Sequence, residues 1–398
     1  MDLTYKTTPD LEDLRAEVRT WLDEVYPEDY RGFQWDFEED PDRWAFMFDF
    51  WKQLGAKHWI FPTWPQEWGG CEMSGRQARV LQEEKVSARV GEVGGIGMGV
   101  GPSIIRHGTP EQKAFFLPKM AAGEILWAEG YSEPNAGSDL ASLRTRAVRD
   151  GDDWVINGQK TFCTAGHWCN WMIIFARTDP DPSKRHRGIS CFLANMENEP
   201  AIELTPLNNI ADGRQNVVYF DDLRVPDAMM LGDLNEAWNQ VWFRLGGDPL
   251  PVFDDDDSGP EIEYEPPVDG YAWVLDQLLQ YCKETRRGGR ALIDDPSVRE
   301  QLTELAIGVE VGKVMGLEGF DCPYGVHLHQ AITKEFQPEF GQICMEILGP
   351  LGLIQKGRWA PLGGEIDRIY RRSFGNHAGG TSQVKRMTVA TRVLGLPR

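Results

Sequence analysis

Residues 131–140 form a polar, glycine-containing segment whose side chains and backbone could bind a small molecule. The segment reads Tyr-Ser-Glu-Pro-Asn-Ala-Gly-Ser-Asp-Leu. It predicts a turn that offers two serine hydroxyls, Ser132 and Ser138, together with free backbone amide donors. Such a loop suits the polar edge of a flat heterocycle or a carbonyl group. A structural β-turn with an Asx or serine cap explains the same residues, and the spacing alone favours that alternative.

A second candidate segment covers residues 157–167 and reads Asn-Gly-Gln-Lys-Thr-Phe-Cys-Thr-Ala-Gly-His. Side chains at positions i and i+2 of a strand share a face, so Phe162 and Thr164 are expected on the same face. An aromatic ring and a hydroxyl placed in this way can stack on a planar ligand and hydrogen-bond its edge. The alternative is an ordinary packed strand with satisfied polar groups, and the residues taken alone favour it.

The third segment, residues 379–386, reads Gly-Gly-Thr-Ser-Gln-Val-Lys-Arg and is predicted to open a helix that runs to about Val393. A helix start of this kind leaves backbone N–H groups unpaired at the positive end of the helix dipole. That arrangement suits a phosphate or a nearby adenosine. An ordinary glycine-led helix start is equally compatible with the sequence.

The elements that must position these segments change type twice along the chain. Residues 1–125 carry apolar residues at helical spacing, and Thr109 followed by Pro110 is typical of a helix start. Residues 126–235 contain short β-branched and aromatic runs separated by turn residues, which predicts an antiparallel sheet or small barrel. Helical periodicity returns over residues 236–398. The sequence therefore predicts an α+β protein in the order helical, β, helical.

An acidic, proline-rich insert at residues 248–270 interrupts the last helical region. Residues 248–269 hold six Asp and three Glu and contain neither Lys nor Arg. In the whole chain, acidic residues outnumber Lys and Arg by 62 to 41, which gives a formal charge of −21. The insert supplies nine of these excess negative charges. The insert has too little apolar surface to offset the entropy of ordering, and a solvated loop is the simplest interpretation.

Composition excludes several classes of function. The acidic excess argues against binding to nucleic acid and against docking on an anionic membrane, whereas a few local cations could still hold an anionic small molecule. We predict no membrane span and, because residues 1–9 lack an apolar core, no secretory signal. The seven scattered cysteines contain no C-x-x-C pair, which indicates reduced thiols in a cytoplasmic protein. The histidines lack the spacing of a metal site, so no metal is predicted.

In their order and spacing, the three segments resemble the acyl-CoA dehydrogenase family. Residues 131–139 look like the flavin loop of the family, residues 157–164 like its second flavin motif, and residues 379–383 like its C-terminal adenylate and CoA-side motif. Similar stretches elsewhere extend the resemblance over nearly the whole chain; they are Trp64–Gly70, Gly108–Lys113, Phe220–Pro226 and Ile347–Gly352.

The resemblance implies an architecture, a cofactor and a reaction. It implies a helical domain over residues 1–125, a β-barrel domain over residues 126–235 and a C-terminal four-helix bundle over residues 236–398. The implied cofactor is FAD, and the implied substrate is a fatty-acyl or related acyl-CoA thioester. The implied reaction is α,β-desaturation, with electrons passed to an electron-transfer flavoprotein. The family also implies a homo- or hetero-tetramer.

Roles at the flavin ring are carried over residue by residue. The Tyr131 backbone and Ser132 would contact the ring, and Ser138 would lie near the CoA or acyl carbonyl region. Phe162 stands where the family usually has Trp against the flavin, and Thr164 would hydrogen-bond its central edge.

Roles at the far end of the cofactor follow in the same way. Thr381 and Gln383 would approach the adenylate of FAD. Arg286 or Arg287 would reach the pyrophosphate from a neighbouring subunit. Residues 345–349 replace a stretch in which the family usually offers Gln to FAD, and Gly349 is the candidate cofactor contact there.

The catalytic base is where the sequence departs from the family. Proton removal from the carbon α to a thioester requires a carboxylate whose pKa is raised by an apolar site. Many members place a Glu directly before the Gly-Thr of the third motif, and this sequence has Gly379 there. Counting from Trp238 at the spacing of a second family solution reaches Asp248, although Pro249 disturbs a helix at that point. Asp248 is the first candidate base, the carboxylates of residues 254–257 are alternatives, and loss of the base is equally open.

Two functions remain open at this point. The first is an active FAD-dependent dehydrogenase, similar to family branches that act on bulky or branched acyl-CoAs such as steroid side-chain thioesters. The second is a non-catalytic subunit that lends FAD or CoA contacts to an active partner chain. The three segments together argue against a third class, an unrelated acidic helical scaffold.

Overall fold

The structure is a computed structural model. It describes residues 6–31, 41–91, 97, 99–210, 214–242, 262–263, 270–315, 325–374 and 379–397.

Helices dominate both ends of the chain, and strands dominate its middle. The helices are α1 (Pro9–Val25), α2 (Pro41–Ala56), α3 (Gly75–Ser87), α4 (Val100–His107), α5 (Pro110–Ala121), α6 (Trp238–Trp242), α7 (Gly270–Glu284), α8 (Pro296–Met315), α9 (Gly325–Leu348), α10 (Glu365–Ser373) and α11 (Ser382–Thr388). The strands are β1 (Lys6–Thr7), β2 (Trp127–Gly130), β3 (Arg146–Asp150), β4 (Asp153–Thr164), β5 (Trp171–Arg177), β6 (Ile189–Asn195), β7 (Ile202–Asn208), β8 (Arg214–Pro226), β9 (Met230–Leu231), β10 (Ile262–Glu263), β11 (Arg286–Arg287) and β12 (Arg290–Ala291). The predicted α+β class and its helical, β, helical order are confirmed.

Helix α5 shows how local sequence sets an element and joins it to the next domain. Thr109 is its N-cap and Pro110 its first residue, as predicted. The Thr109 hydroxyl accepts a hydrogen bond from the Gln112 N–H, and the Gln112 side chain accepts one from the Thr109 N–H, which forms a capping box. The Gln112 amide also donates to the carbonyls of Ala228 and Met230 at 2.8 and 2.9 Å, so the helix is tied to the β domain.

The strands of the middle region form one eight-stranded sheet in the order β7-β8-β4-β3-β5-β6-β9, with β2 paired to β5. Most pairs are antiparallel, as predicted, but β2 and β3 both run parallel to β5. The longest pairing joins β4 to β8, and its register shifts between Lys160 and Cys163. This shift is a β-bulge, a feature that re-aims side chains next to it.

Two separate hydrophobic cores support the described part of the chain. The first joins the N-terminal helices to the sheet, where Phe116 packs against Trp127 and Trp171 with ring centroids 5.3 and 4.8 Å apart. The second lies within the C-terminal helices and includes Leu278 and Phe340. The N-terminal helices and the sheet are therefore one packed body, and the C-terminal helices have a core of their own.

Specific contacts join the C-terminal helices to the rest of the chain. The Arg371 guanidinium on α10 donates to the Ile210 carbonyl beyond β7 at 2.8 Å and is held by Asp367 at 2.6 Å. The Arg89 guanidinium lies over the Trp273 ring on α7, 4.6 Å from its centroid.

Most of the acidic insert lies outside the described residues. Its residues Ile262–Glu263 form β10, which pairs antiparallel with β1 near the start of the chain. The sequence predicts a solvated loop over the whole insert and does not indicate this strand pairing.

None of the described helices combines the length and the apolar composition needed to cross a bilayer.

Candidate functional site

The loop after β2 is a tight turn with exposed residues at its tip. Glu133 and Ala136 exchange two backbone hydrogen bonds of 3.0 Å, so the backbone itself closes the turn. The Tyr131 ring stacks on Phe175, with centroids 4.4 Å apart, and the Tyr131 carbonyl accepts a bond from Lys160. Ser138 is exposed at the end of the turn.

Ser132 is the loop residue with unused hydrogen-bonding capacity. Its carbonyl accepts a bond of 2.8 Å from the Thr161 N–H on β4, which fixes the loop beside that strand. Neither its N–H nor its hydroxyl has a partner in the part of the chain that the structure describes, and the residue is partly exposed. Unsatisfied amide donors at a surface loop are ready contacts for the polar edge of a ligand.

The end of β4 presents the aromatic and hydroxyl groups that the strand alternation predicts. Thr161 and Cys163 are buried, whereas Phe162 and Thr164 are exposed. Phe162 is 52% exposed, although it is a large aromatic residue, and it has a left-handed φ of 59° within the β-bulge. A bulky residue held in this conformation is strained, and such strain concentrates at functional positions.

Strand β8 supports this surface with two residues that the sequence reasoning missed. The Gln215 amide donates to the Thr164 hydroxyl at 3.3 Å. The Asn216 amide donates to the Cys163 carbonyl at 3.1 Å and lies 3.2 Å from Nδ1 of His167. Only the β4–β8 register places these residues together, and no local pattern in the sequence indicates that register.

A buried ion pair behind the loop was also missed. The Lys160 side chain on β4 is completely buried, and its ammonium donates to a Glu133 carboxylate oxygen at 2.9 Å and to the Tyr131 carbonyl at 3.1 Å. The same carboxylate accepts bonds from the N–H groups of Arg144 and Thr145 at 2.7 and 2.8 Å. A spacing of 27 residues separates the two charges along the chain, so neither suggests the other before the fold is known.

The third segment starts a helix as predicted. Thr381 is the N-cap of α11, and its hydroxyl accepts a bond of 3.2 Å from the Val384 N–H. A π-helical turn continues the helix to Val393. Gly379 and Gly380 have left-handed φ values of 70° and 100°, a conformation that glycine adopts without strain.

A buried lysine lies directly behind this helix start. Lys385 is 1% exposed, and its Cε would lie 3.3 Å from a Cβ placed on Gly380. Burial lowers the pKa of the Lys385 ammonium to about 8, and repulsion from Lys334 adds to the effect. Gln383, by contrast, is exposed on the outside of the helix.

The predicted arginines lie on a short hairpin between α7 and α8. Strands β11 and β12 form it, and Arg286, Arg287 and Arg290 are all exposed. The Arg287 guanidinium donates to the Ile347 carbonyl at 3.3 Å, so the hairpin lies beside the end of α9. Gly349 follows directly with a left-handed φ of 60°. The structure therefore brings Arg287 and the Gly349 segment together.

The candidate base Asp248 and the alternative carboxylates at residues 254–257 lie outside the described residues. At the usual family position, Gly379 supplies no carboxylate.

The residues around Ser132 and Phe162 fit a flavin. An exposed aromatic ring, a hydroxyl at Thr164 held by Gln215, and an unused amide at Ser132 lie on one loop and one strand end joined by the Thr161–Ser132 hydrogen bond. A planar ring with hydrogen-bonding atoms along its edge matches this combination of a stacking surface and edge donors.

Comparison with known proteins also indicates a flavin-binding protein. Residues 8–124, 128–223 and 268–394 match the N-terminal, middle and C-terminal domains of acyl-CoA dehydrogenases. "Acyl-CoA dehydrogenase FadE26" of Mycobacterium tuberculosis is 30% identical over 422 residues, which cover 100% of this chain and 99% of that protein.

Two solved structures extend the similarity to the whole fold. The ChsE4-ChsE5 complex from Mycobacterium tuberculosis has a TM-score of 0.83 at 29% identity, with 100% of both chains covered. A steroid acyl-CoA dehydrogenase, Tcur3481-Tcur3483, has a TM-score of 0.81 at 27% identity, also with 100% of both chains covered.

Fold and site together define a flavin-dependent oxidoreductase. The chain belongs to the acyl-CoA dehydrogenase family. The enzymes of this family are FAD-dependent and act on acyl-CoA thioesters, which confirms the cofactor and the reaction class inferred from the sequence.

Proposed function

We propose that the chain holds the flavin ring of FAD between the loop of residues 131–139 and the end of β4, and desaturates an acyl-CoA beside it. The observation that carries this assignment is the joined surface of Ser132, Phe162 and Thr164. Phe162 is a large aromatic residue that is 52% exposed, and the Ser132 N–H and hydroxyl have no partner among the described residues. In this arrangement Phe162 contacts the ring, Thr164 donates to its central edge, and the Ser132 amide donates to its polar edge.

The desaturation divides between the cofactor and one side chain. Bound FAD supplies the acceptor for the hydride that leaves Cβ. The chain must remove the proton from Cα, and we assign this step to the carboxylate of Asp248. An apolar site around that carboxylate would raise its pKa and so improve it as a base near neutral pH. Ser138, exposed at the end of the flavin loop, is assigned to the acyl carbonyl or CoA region.

The remaining cofactor contacts are assigned to the C-terminal helices. Thr381 and Gln383 would bind the adenylate at the start of α11. Arg286 or Arg287 would neutralise the pyrophosphate of FAD held by a neighbouring subunit, and the Gly349 backbone beside them would complete that surface. The protruding hairpin supports the arginine assignment because three exposed guanidinium groups lie together on it in a chain of charge −21.

A bulky or branched acyl-CoA, such as a steroid side-chain thioester, is the proposed substrate class. Two observations favour it: the Gly-Gly-Thr form of the third segment, and the similarity over the full chain to a protein described as a steroid acyl-CoA dehydrogenase. An electron-transfer flavoprotein or a similar acceptor would reoxidise the flavin.

Association with other subunits is proposed from the exposed apolar side chains of the C-terminal helices. Large hydrophobic residues are exposed on α8, on the turn after α9 and at the end of the chain; they include Ile307, Leu351, Leu353, Trp359, Met387 and Leu394. Clustered exposed apolar surface marks association sites. A homo- or hetero-tetramer would cover it.

The second candidate is a subunit of a heteromeric dehydrogenase that contributes FAD or CoA contacts without its own base. Gly379 in place of a carboxylate favours it, and the similar structure is described as a ChsE4-ChsE5 complex.

The absorbance spectrum of the purified protein tests the proposal. We expect a yellow protein whose flavin band bleaches on addition of acyl-CoAs with bulky chains. A colourless protein that acquires flavin only when a homologous chain is co-expressed would favour the second candidate.

The base assignment has its own test. Asp248→Asn should retain the flavin band but lose substrate-dependent bleaching, because the amide cannot take the Cα proton. Asp276→Asn, an exposed substitution on α7, serves as the matched control and should bleach at the wild-type rate. Wild-type bleaching by the Asp248 variant would refute the assignment.

A further inference from the structure

Lys160 is a buried cation directly behind the proposed flavin surface. Its side chain is fully buried, and its stem passes Gly130, where an added Cβ would lie 3.3 Å from Lys160 Cγ. The ammonium lies between two acceptors, Glu133 Oε1 at 2.9 Å and the Tyr131 carbonyl oxygen at 3.1 Å. A buried charge is costly unless it is paired and hydrogen-bonded, and here both conditions are met.

Closing the turn does not require this cation. The Glu133 carboxylate already accepts two backbone bonds, from Arg144 and Thr145, at 2.7 and 2.8 Å. The Glu133 backbone exchanges two further bonds with Ala136 across the turn. Lys160 also donates a bond of 3.1 Å to the Tyr131 carbonyl.

That carbonyl belongs to the same peptide unit as the Ser132 N–H. A donor on the carbonyl oxygen polarises the peptide and makes its N–H a stronger donor, and the low dielectric of a buried site increases the effect. The Ser132 carbonyl is already used by the Thr161 N–H, whereas the Ser132 N–H has no acceptor in the described ranges. The N–H group that this polarisation strengthens, that of Ser132, is therefore the one available to a ligand.

We propose that Lys160 sets the donor strength of the Ser132 amide toward bound flavin and so stabilises the reduced cofactor. This inference rests on the proposed flavin site. Reduced flavin carries more negative charge than oxidised flavin, so a stronger amide donor favours the reduced form. Lys160 acts through the Ser132 peptide and is a positioning residue rather than a catalytic one.

The test is the flavin midpoint potential of the holoprotein, obtained by reductive titration without acyl-CoA, together with the dissociation constant of FAD. Lys160→Met keeps an unbranched stem as far as Cε and removes the charged ammonium. We expect the affinity for reduced flavin, relative to that for oxidised flavin, to fall on the order of tenfold. For a two-electron couple this fall lowers the midpoint potential by about 30 mV. The double variant Lys160→Met/Glu133→Gln leaves no unpaired charge and should show a smaller fall, roughly threefold, because the polarisation is still lost.

Two further variants separate this effect from general loss of charge or structure. Arg224→Met removes an exposed cation paired with Asp150 and Asp153 in the same sheet and should leave the potential at the wild-type value. In a Ser132→Ala background the shift caused by Lys160→Met should persist, because alanine keeps the backbone N–H.

An unchanged potential in Lys160→Met would overturn the proposal even if FAD binds more weakly. If that variant does not retain flavin, the double variant decides, and a wild-type potential there would overturn the proposal as well. The titration uses no substrate, so failure of the desaturation assignment would appear separately, as a flavin that acyl-CoA does not bleach.

Discussion

The N-cap of α11 is the sharpest point at which stability and cofactor binding can be separated. The Thr381 hydroxyl accepts a bond of 3.2 Å from the Val384 N–H. Thr109, the N-cap of α5, accepts an equivalent bond of 3.2 Å from the Gln112 N–H. The two threonines therefore perform the same local task, but only Thr381 belongs to the proposed FAD surface.

The size of the effect follows from the cap. Replacing an N-cap threonine by alanine costs roughly 1 kcal/mol. If FAD binds only when the start of α11 is ordered, Thr381→Ala should weaken FAD by up to about fivefold, because about 1.4 kcal/mol corresponds to a factor of ten. Loss of a direct hydroxyl contact would add to this factor. Thr109→Ala should lose a similar free energy of unfolding and leave FAD affinity unchanged.

The assay is a titration of apoprotein with FAD, followed by flavin fluorescence, alongside urea unfolding of each variant. Thr381→Ser keeps the hydroxyl and should restore most of the affinity. The reasoning is refuted if Thr381→Ala binds FAD as tightly as wild type, or if Thr109→Ala weakens FAD to the same extent.

Two other predictions concern the same segment. A Cβ on Gly379 would meet no atom of the described residues within 4 Å, although its φ of 70° makes any side chain strained. In an Asp248→Asn background, the Gly379→Glu variant should therefore fold, at a cost of about 1 kcal/mol in stability. Its flavin should bleach with acyl-CoA more than that of Asp248→Asn alone. The absence of such a rise would place residue 379 away from the Cα of the substrate. Folding lowers the pKa of Lys385 from 10.5 to about 8. Between these pH values the unfolded chain binds a proton that the folded chain does not, so the stability of the fold increases as the pH rises. Between pH 7.5 and 9.5 the free energy of unfolding of the wild type should rise by an amount on the order of 1 kcal/mol that is absent in Lys385→Met, as measured by urea unfolding. An identical pH dependence in the wild type and the variant would contradict this assignment.

Local sequence signals were sufficient for the elements whose determinants lie close together in the chain. Thr109 and Pro110 mark the start of α5 because capping involves residues three apart. Phe162 and Thr164 are both exposed, as alternation along a single strand predicts without knowledge of its neighbours. The order of helical and β regions follows from the same local periodicities.

Features that depend on pairing between distant segments could not be predicted in this way. The parallel pairing of β2 with β5 is set by packing of the whole sheet, and turn residues do not indicate it. The bulge between Lys160 and Cys163 depends on the register of β4 against β8. The support of Thr164 by Gln215, 51 residues away, depends on that same register.

Cofactor binding and proton removal are assigned to different parts of this chain, and this division determines how the two candidate functions can be distinguished. The flavin donors lie on the loop after β2 and the end of β4, at the surface of the body whose core the N-terminal helices share with the sheet. The candidate base, Asp248, follows α6 in sequence, and Gly379 is the first residue of the C-terminal motif. A substitution that removes the base therefore leaves the flavin surface intact. A subunit without a base would not bleach with substrate, whether it is yellow by itself or acquires flavin only with a partner chain. An active enzyme would be yellow and would bleach, so flavin content and bleaching must be measured as independent properties.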